Sequence, residues 1–155
     1  MSQQPAVTPL TNVQQRNVNA LLSDNRLQPV GTDLAKAARF LQNATDALND
    51  LANITSKHVQ FDVAYNACHD VGEAMLATYG FRTAPGTGAH VAIGQFLEAI
   101  FDTPPGQAAA QAYDTLRGTR NGLRYRANSP SKANVTAATQ AAQGLLTAAS
   151  ARLQP

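Results

Sequence analysis

Apolar side chains recur along this chain at alternating steps of three and four residues, and the clearest run is Leu34, Ala37 or Ala38, Leu41, Ala44, Leu48 and Leu51. Such spacing keeps one face of a 3.6-residue helix apolar for about five turns. Thr32 and Asp33 stand just ahead of it as cap and first-turn residues, behind the chain break set by Pro29 and Gly31. A second run, Phe61, Ala64 or Tyr65, Cys68, Val71, Met75 and Tyr79, stops at Gly80, which predicts a left-handed helix terminator. After the loop FRTAPGTGA, a shorter helix fits Val91, Ile93, Phe96, Leu97, Ile100 and Phe101, and TPPG at 103–106 closes it. Helical spacing resumes over 107–126 through Ala112, Leu116 and Leu123. NSPS at 128–131 then supplies a cap and a first-turn proline for a last helix with Val135, Ala138, Ala142, Leu145, Ala149 and Leu153 inside.

The N-terminal stretch reads differently. Residues 1–10 carry two prolines and no apolar period, which predicts a mobile arm, and Val13, Ala20, Leu21 and Leu22 suggest a short helix ending near Asp24. No segment alternates with a period of two, so a sheet is not expected. The expectation is an all-α fold: an antiparallel four- to five-helix bundle over 32–155, with 1–31 as an arm and an extra short helix packed outside it.

Composition supports this picture. Twenty-nine alanines favour closely packed helices, and 14% charged against 44% hydrophobic residues describes a compact domain rather than a disordered chain. The one cysteine, Cys68, lies on an apolar period and is expected in the core; it forms neither an internal disulfide nor a zinc framework. No apolar run approaches a membrane span, and MSQQPAVTPL lacks the features of a signal peptide, so the expectation is a cytoplasmic protein without membrane contact.

Charge changes the picture more. Residues 1–114 hold six basic and ten acidic side chains and 115–155 hold six basic and none acidic, so −4 gives way to +6. Arg117, Arg120, Arg124 and Arg126 fall within the thirteen residues LRGTRNGLRYRAN. At helical spacing the first three share one face beside an apolar stripe of Leu116 and Leu123, where like charges repel until an anion or a carboxylate relieves them. Gly118 and Gly122 each weaken a helix by roughly 1 kcal/mol relative to alanine. Close approach of a second helix, from this chain or a symmetry mate, would compensate; a kink at the pair is the alternative. Two copies meeting here would form a basic cleft.

RNGLRY at 120–125, in the second-last helix of an all-α bundle, resembles the motif of HEPN domains: Arg, a polar residue often Asn, three further residues and His. The likeness extends more loosely to AYNACHDVGEAMLATYGFR at 64–82, the PGTGAH turn and the helix containing QFL, and covers most of 32–153. It implies a homodimer whose cleft cleaves RNA without a metal ion or cofactor, as a bacterial toxin with a nucleotidyltransferase antitoxin or as part of phage defence. By position, Arg120 matches the family Arg and Asn121 the polar residue, with Arg117, Arg124 and Arg126 as nucleic-acid contacts. Tyr125 replaces the His. A phenol is a far weaker general base than an imidazole at neutral pH, so Tyr125 is read as base, as stacking or hydrogen-bonding residue in the cleft, or as a packing residue. A catalytically degenerate interaction module working as a dimeric scaffold or regulator is the alternative.

The other candidates carry less. His90, near the start of a short helix, is expected to be exposed or to cap it, with a substitute base reaching the cleft as the alternative, and His58 has no obvious partner. Cys68, His69 and Asp70 are neighbours about 100° apart on a helix and cannot converge as a triad. PGTGAH lacks the Lys-Ser or Lys-Thr of a phosphate loop, and Glu73 and Glu98 lack the Glu-x-x-His pairing of a di-metal bundle.

Overall fold

A computed structural model of the chain describes residues 6–86 and 88–154. Residues 1–5 of the expected arm and Thr87 of the PGTGAH turn lie outside them. Among the described residues there are six helices: α1 (Asn12–Ser23), α2 (Leu34–Asp50), α3 (Lys57–Tyr79), α4 (Ala89–Ile100), α5 (Gly106–Tyr125) and α6 (Lys132–Arg152). They form an all-α helical bundle. A short 3-10 turn, Leu51–Asn53, joins α2 to α3.

Local sequence sets the helix ends. The Asp33 side chain accepts from the Lys36 backbone N–H at 3.0 Å, and Gly80 ends α3 in the left-handed region at φ 85° while its N–H donates to Leu76 O. Ser131 caps α6 in a reciprocal box with Asn134. Pro130 therefore stands before the cap, not in the first turn as expected, and is buried.

Helix α3 is the centre of the core. Phe61, Ala64, Tyr65, Ala67, Cys68, Val71, Ala74 and Met75 are all buried, and α2, α4 and α6 pack around them. Gly72 lets α4 come close: a Cβ there would sit 2.3 Å from Ile93 Cγ2. Helix α1 packs on α4, with Val18 fully buried in the same cluster.

Two short antiparallel pairs depart from the expected absence of sheet. Strand β1 (Ala6–Val7) pairs with β4 (Leu153–Gln154), and β2 (Leu27–Pro29) with β3 (Phe81–Thr83). The described part of the arm is thus fastened: Thr8 N–H donates to Arg152 O at 2.9 Å, and Tyr79 Oη donates to Thr8 O at 2.8 Å. Arg152 reaches from the end of α6 to Tyr79 Oη at 2.9 Å and to Ile100 O. Backbone pairing of two or three residues needs no apolar alternation, which is why the hydrophobic pattern does not show it.

Candidate functional site

Along α5, Tyr113, Arg117, Arg120 and Arg124 follow one another at steps of three and four, so the stripe turns toward α3. The outcome is uneven among the arginines. Arg117 pairs with Asp114 at 3.0 Å. Arg120 instead lays its guanidinium over the Tyr65 ring, 4.9 Å from the centroid. Arg126, at the C-cap, donates through Nε to Gly122 O at 3.3 Å. Among the described residues, Arg120, Arg124 and Arg126 have no carboxylate within ion-pairing distance. The Nε atoms of Arg117 and Arg120 are shielded from solvent without an acceptor.

Beneath Arg120 lies a polar cluster inside the bundle. Tyr65 is fully buried, and its hydroxyl is 3.0 Å from His90 Nδ1. The Tyr113 hydroxyl is 3.4 Å from the same nitrogen, and the two tyrosine rings stack with centroids 5.4 Å apart. Burial pushes both phenols above their ordinary range; for Tyr65 a hydrogen bond from Tyr113 and the Arg120 charge pull the other way. Both hydroxyls therefore keep their protons. With Tyr65 as the donor in the 3.0 Å contact, Nδ1 accepts and the ring proton of neutral His90 sits on Nε2.

The His69 and His90 rings stand 4.5 Å apart, and His69 Nε2 is 3.6 Å from Glu73. Burial first, then Arg120, holds His69 below the usual imidazole range. For His90 the causes are burial, then His69, Arg120 and Arg117. The cluster is arranged to keep imidazoles neutral beside guanidinium groups. His90 is thus neither free nor a cap, correcting the expectation: α4 carries it against α3 because Gly72 brings the two helices together.

Two cavities open on either side of Arg120. One of about 190 Å³ is lined by Tyr65, His90, Arg117, Arg120, Asn121 and the start of α4. The other, about 300 Å³, is lined by His58, Phe61, Asp62, Arg120, Leu123, Arg124 and the 127–130 turn. His58, expected to lack a partner, lies 3.5 Å from Asp62 in the second cavity. Their lining residues on α5 centre three positions apart, or roughly 4.5 Å along the axis at about 1.5 Å per residue.

Of the residues singled out from the sequence, Arg117, Arg120, Asn121 and Arg124 gather around these cavities. Tyr125 and Arg126 do not. Tyr125 is 96% exposed at the last position of α5, and five residues of helix set it about 140° around the axis from Arg120. Within one chain it meets none of the cluster. The apolar period accounts for Tyr65 as core, His69 is set aside because it cannot form a triad with Cys68 and Asp70, and Tyr113 goes unread; the usable signal is the i,i+4 spacing of Tyr65 with His69 and of Tyr113 with Arg117. The glycine pair also resolves in part. Among the described residues, nothing outside the local helix backbone lies within 4 Å of a Cβ on Gly118, and the Arg126 guanidinium lies 3.2 Å from one on Gly122, so no other described helix packs there.

Cys68 is in the core as expected, its thiol pushed up to about 12 by burial. Among the described residues no three His, Cys, Asp or Glu side chains gather as metal ligands, and no helix is long and apolar enough to cross a membrane. No family model, curated protein or solved structure matches the chain.

Proposed function

We propose that this chain is a HEPN-like RNA- or nucleotide-binding protein whose α5 arginines hold phosphate groups in the trough between α3 and α5. One observation carries the reading: Arg117, Arg120 and Arg124 line two adjoining cavities, and only Arg117 has a carboxylate partner among the described residues. Three guanidinium groups beside two carboxylates, Asp62 and Asp114, suit a ligand that brings further negative charge. The bare turn at Gly118 favours a second copy as the other wall of the cleft, giving a homodimer. In this reading the protein acts in the cytoplasm as a metal-independent endoribonuclease of a bacterial toxin-antitoxin or phage-defence module, with a nucleotidyltransferase as antitoxin.

A second reading has its own support. Tyr125 stands in the position of the motif histidine yet is exposed and remote from Arg120, which favours a non-catalytic dimer whose arginines dock acidic residues of a partner protein. Incubating the purified protein with single-stranded RNA separates the two. Salt-sensitive binding that weakens in Arg120→Gln supports the nucleic-acid role, and cleavage lost in the same variant supports the enzyme. RNA that neither binds nor is cut favours the interaction module.

A further inference from the structure

The motif residues account for Arg120 and Asn121 but leave His90, Tyr65 and Tyr113 without a role. These three come from α4, α3 and α5, and their polar atoms meet at His90 Nδ1 within 3.0 and 3.4 Å. Tyrosine hydroxyls buried in an alanine-rich core are costly unless paired, and here they pair with an imidazole that also lines a cavity. With the tyrosines as donors, Nδ1 accepts and the remaining ring proton lies on Nε2. The same cavity is lined by Arg117, Arg120 and Asn121.

We propose that the cavity of about 190 Å³ is a phosphate pocket, in which His90 donates through Nε2–H to a phosphate oxygen while Arg117 and Arg120 grip the others. This deepens the anion-binding role proposed for α5 and rests on it. The donors come from two helices, α4 and α5, which suits a tetrahedral oxyanion better than a planar carboxylate that one guanidinium fork satisfies. Charge agrees. Arg117 and Arg120 bring two positive charges, and Asp114, 3.0 Å from Arg117, removes one, so a bound phosphate either supplies the missing negative charge or displaces Asp114 from Arg117. Neutral His90 adds a donor without adding repulsion between cations, consistent with burial, His69, Arg120 and Arg117 all holding its ring below the ordinary imidazole range. Tyr65 and Tyr113 are positioning residues, touching His90 and not the ligand.

The phosphate can be the terminal monoester of a nucleotide or RNA end, or an internal diester, and the test separates them. Nitrogen-15 spectra of the His90 ring are followed while the full chain is titrated with inorganic phosphate, then with two short oligoribonucleotides that differ only in carrying a 5′-phosphate or a 5′-hydroxyl. In the free protein the Nε2–H tautomer should dominate, and in Tyr65→Phe the two tautomers should mix. Phosphate should shift Nε2 saturably, with affinity falling about tenfold in His90→Ala and less in His90→Gln, which keeps an amide donor. A shift from the 5′-phosphate oligonucleotide alone assigns a terminal monoester, and a shift from both assigns a diester; either supports the pocket. If RNA binds and perturbs Arg124 while neither phosphate nor RNA moves His90, the pocket is overturned and the RNA reading stands. If phosphate moves His90 but no RNA binds, the pocket stands and the RNA reading falls.

Discussion

Replacing Gly72 by alanine is the smallest change that should take the site apart. The added Cβ would lie 2.3 Å from Ile93 Cγ2 and 3.5 Å from Leu97 Cδ1. Carbon atoms pack at about 3.5–4.0 Å, so α3 and α4 must separate by roughly 1 Å or Ile93 must leave its rotamer. Ile93 is fully buried and β-branched, and has little freedom to move. Overpacking of this kind costs about 1–3 kcal/mol, against a gain of about 1 kcal/mol from replacing glycine inside a helix, for a net loss of up to about 2 kcal/mol. The same displacement would stretch the 3.0 Å contact between Tyr65 Oη and His90 Nδ1 beyond hydrogen-bonding range. Gly118→Ala is the matched control. Its Cβ meets nothing within 4 Å, so the propensity gain stands alone and the isolated chain should gain about 0.4–1 kcal/mol. Urea denaturation followed by circular dichroism gives both values from the shift in midpoint at constant slope. A Gly72→Ala variant as stable as the parent, with the His90 tautomer unchanged, would refute the claim that this glycine sets the approach of α4. A destabilised Gly118→Ala in the monomer would show that something packs on the bare turn.

Tyr65→Phe keeps the ring under Arg120 but removes the hydroxyl, and should cost about 1–2 kcal/mol in urea denaturation, since one hydrogen bond is lost and a buried partner is left short. Lowering the pH should destabilise the fold through His69 and His90. Both are held below their ordinary value, so the unfolded chain takes up protons first; their contribution is complete above about pH 6.5 and is lost as pH falls through their folded values. Asp70, Glu73 and Glu98, raised mainly by burial, act with the opposite sign from the carboxylate range upward. Substituting both histidines by glutamine should therefore flatten the fall in urea midpoint below pH 6.5, and an unchanged slope would count against the cluster. Cys68, buried with its thiol pushed up to about 12, should resist a thiol reagent in the native state and react fully in denaturant.

Much of the architecture was legible from periodicity because each long helix buries a continuous apolar stripe. Leu34 to Leu48 on α2 and Phe61 to Tyr79 on α3 follow that rule, and Asp33, Gly80 and Ser131 mark ends by local hydrogen bonding and φ preference. The pairs β1–β4 and β2–β3 were not legible, since contacts between positions such as Val7 and Leu153 depend on where the bundle places its ends. The site divides the same way. The arginine stripe is local to one helix and could be seen, whereas the cluster joins residues 65, 90 and 113, whose proximity is created by packing. Tyr65 read as core because it is core, and the buried Tyr113 joins it with a polar tip turned to His90. Of the partners expected at Gly118, a helix of this chain is not found among the described residues.

The salt dependence of RNA binding tests the central claim most directly. If Arg117, Arg120 and Arg124 neutralise two to three phosphates, fluorescence anisotropy with a labelled single-stranded oligoribonucleotide should give a slope of log affinity against log salt of about −1.4 to −2. Arg120→Gln should reduce it by about 0.7, whereas Tyr125→Phe, at an exposed position outside both cavities, should leave it unchanged. Binding that is absent, or that shows the same slope with and without Arg120, would contradict an anion site at this helix.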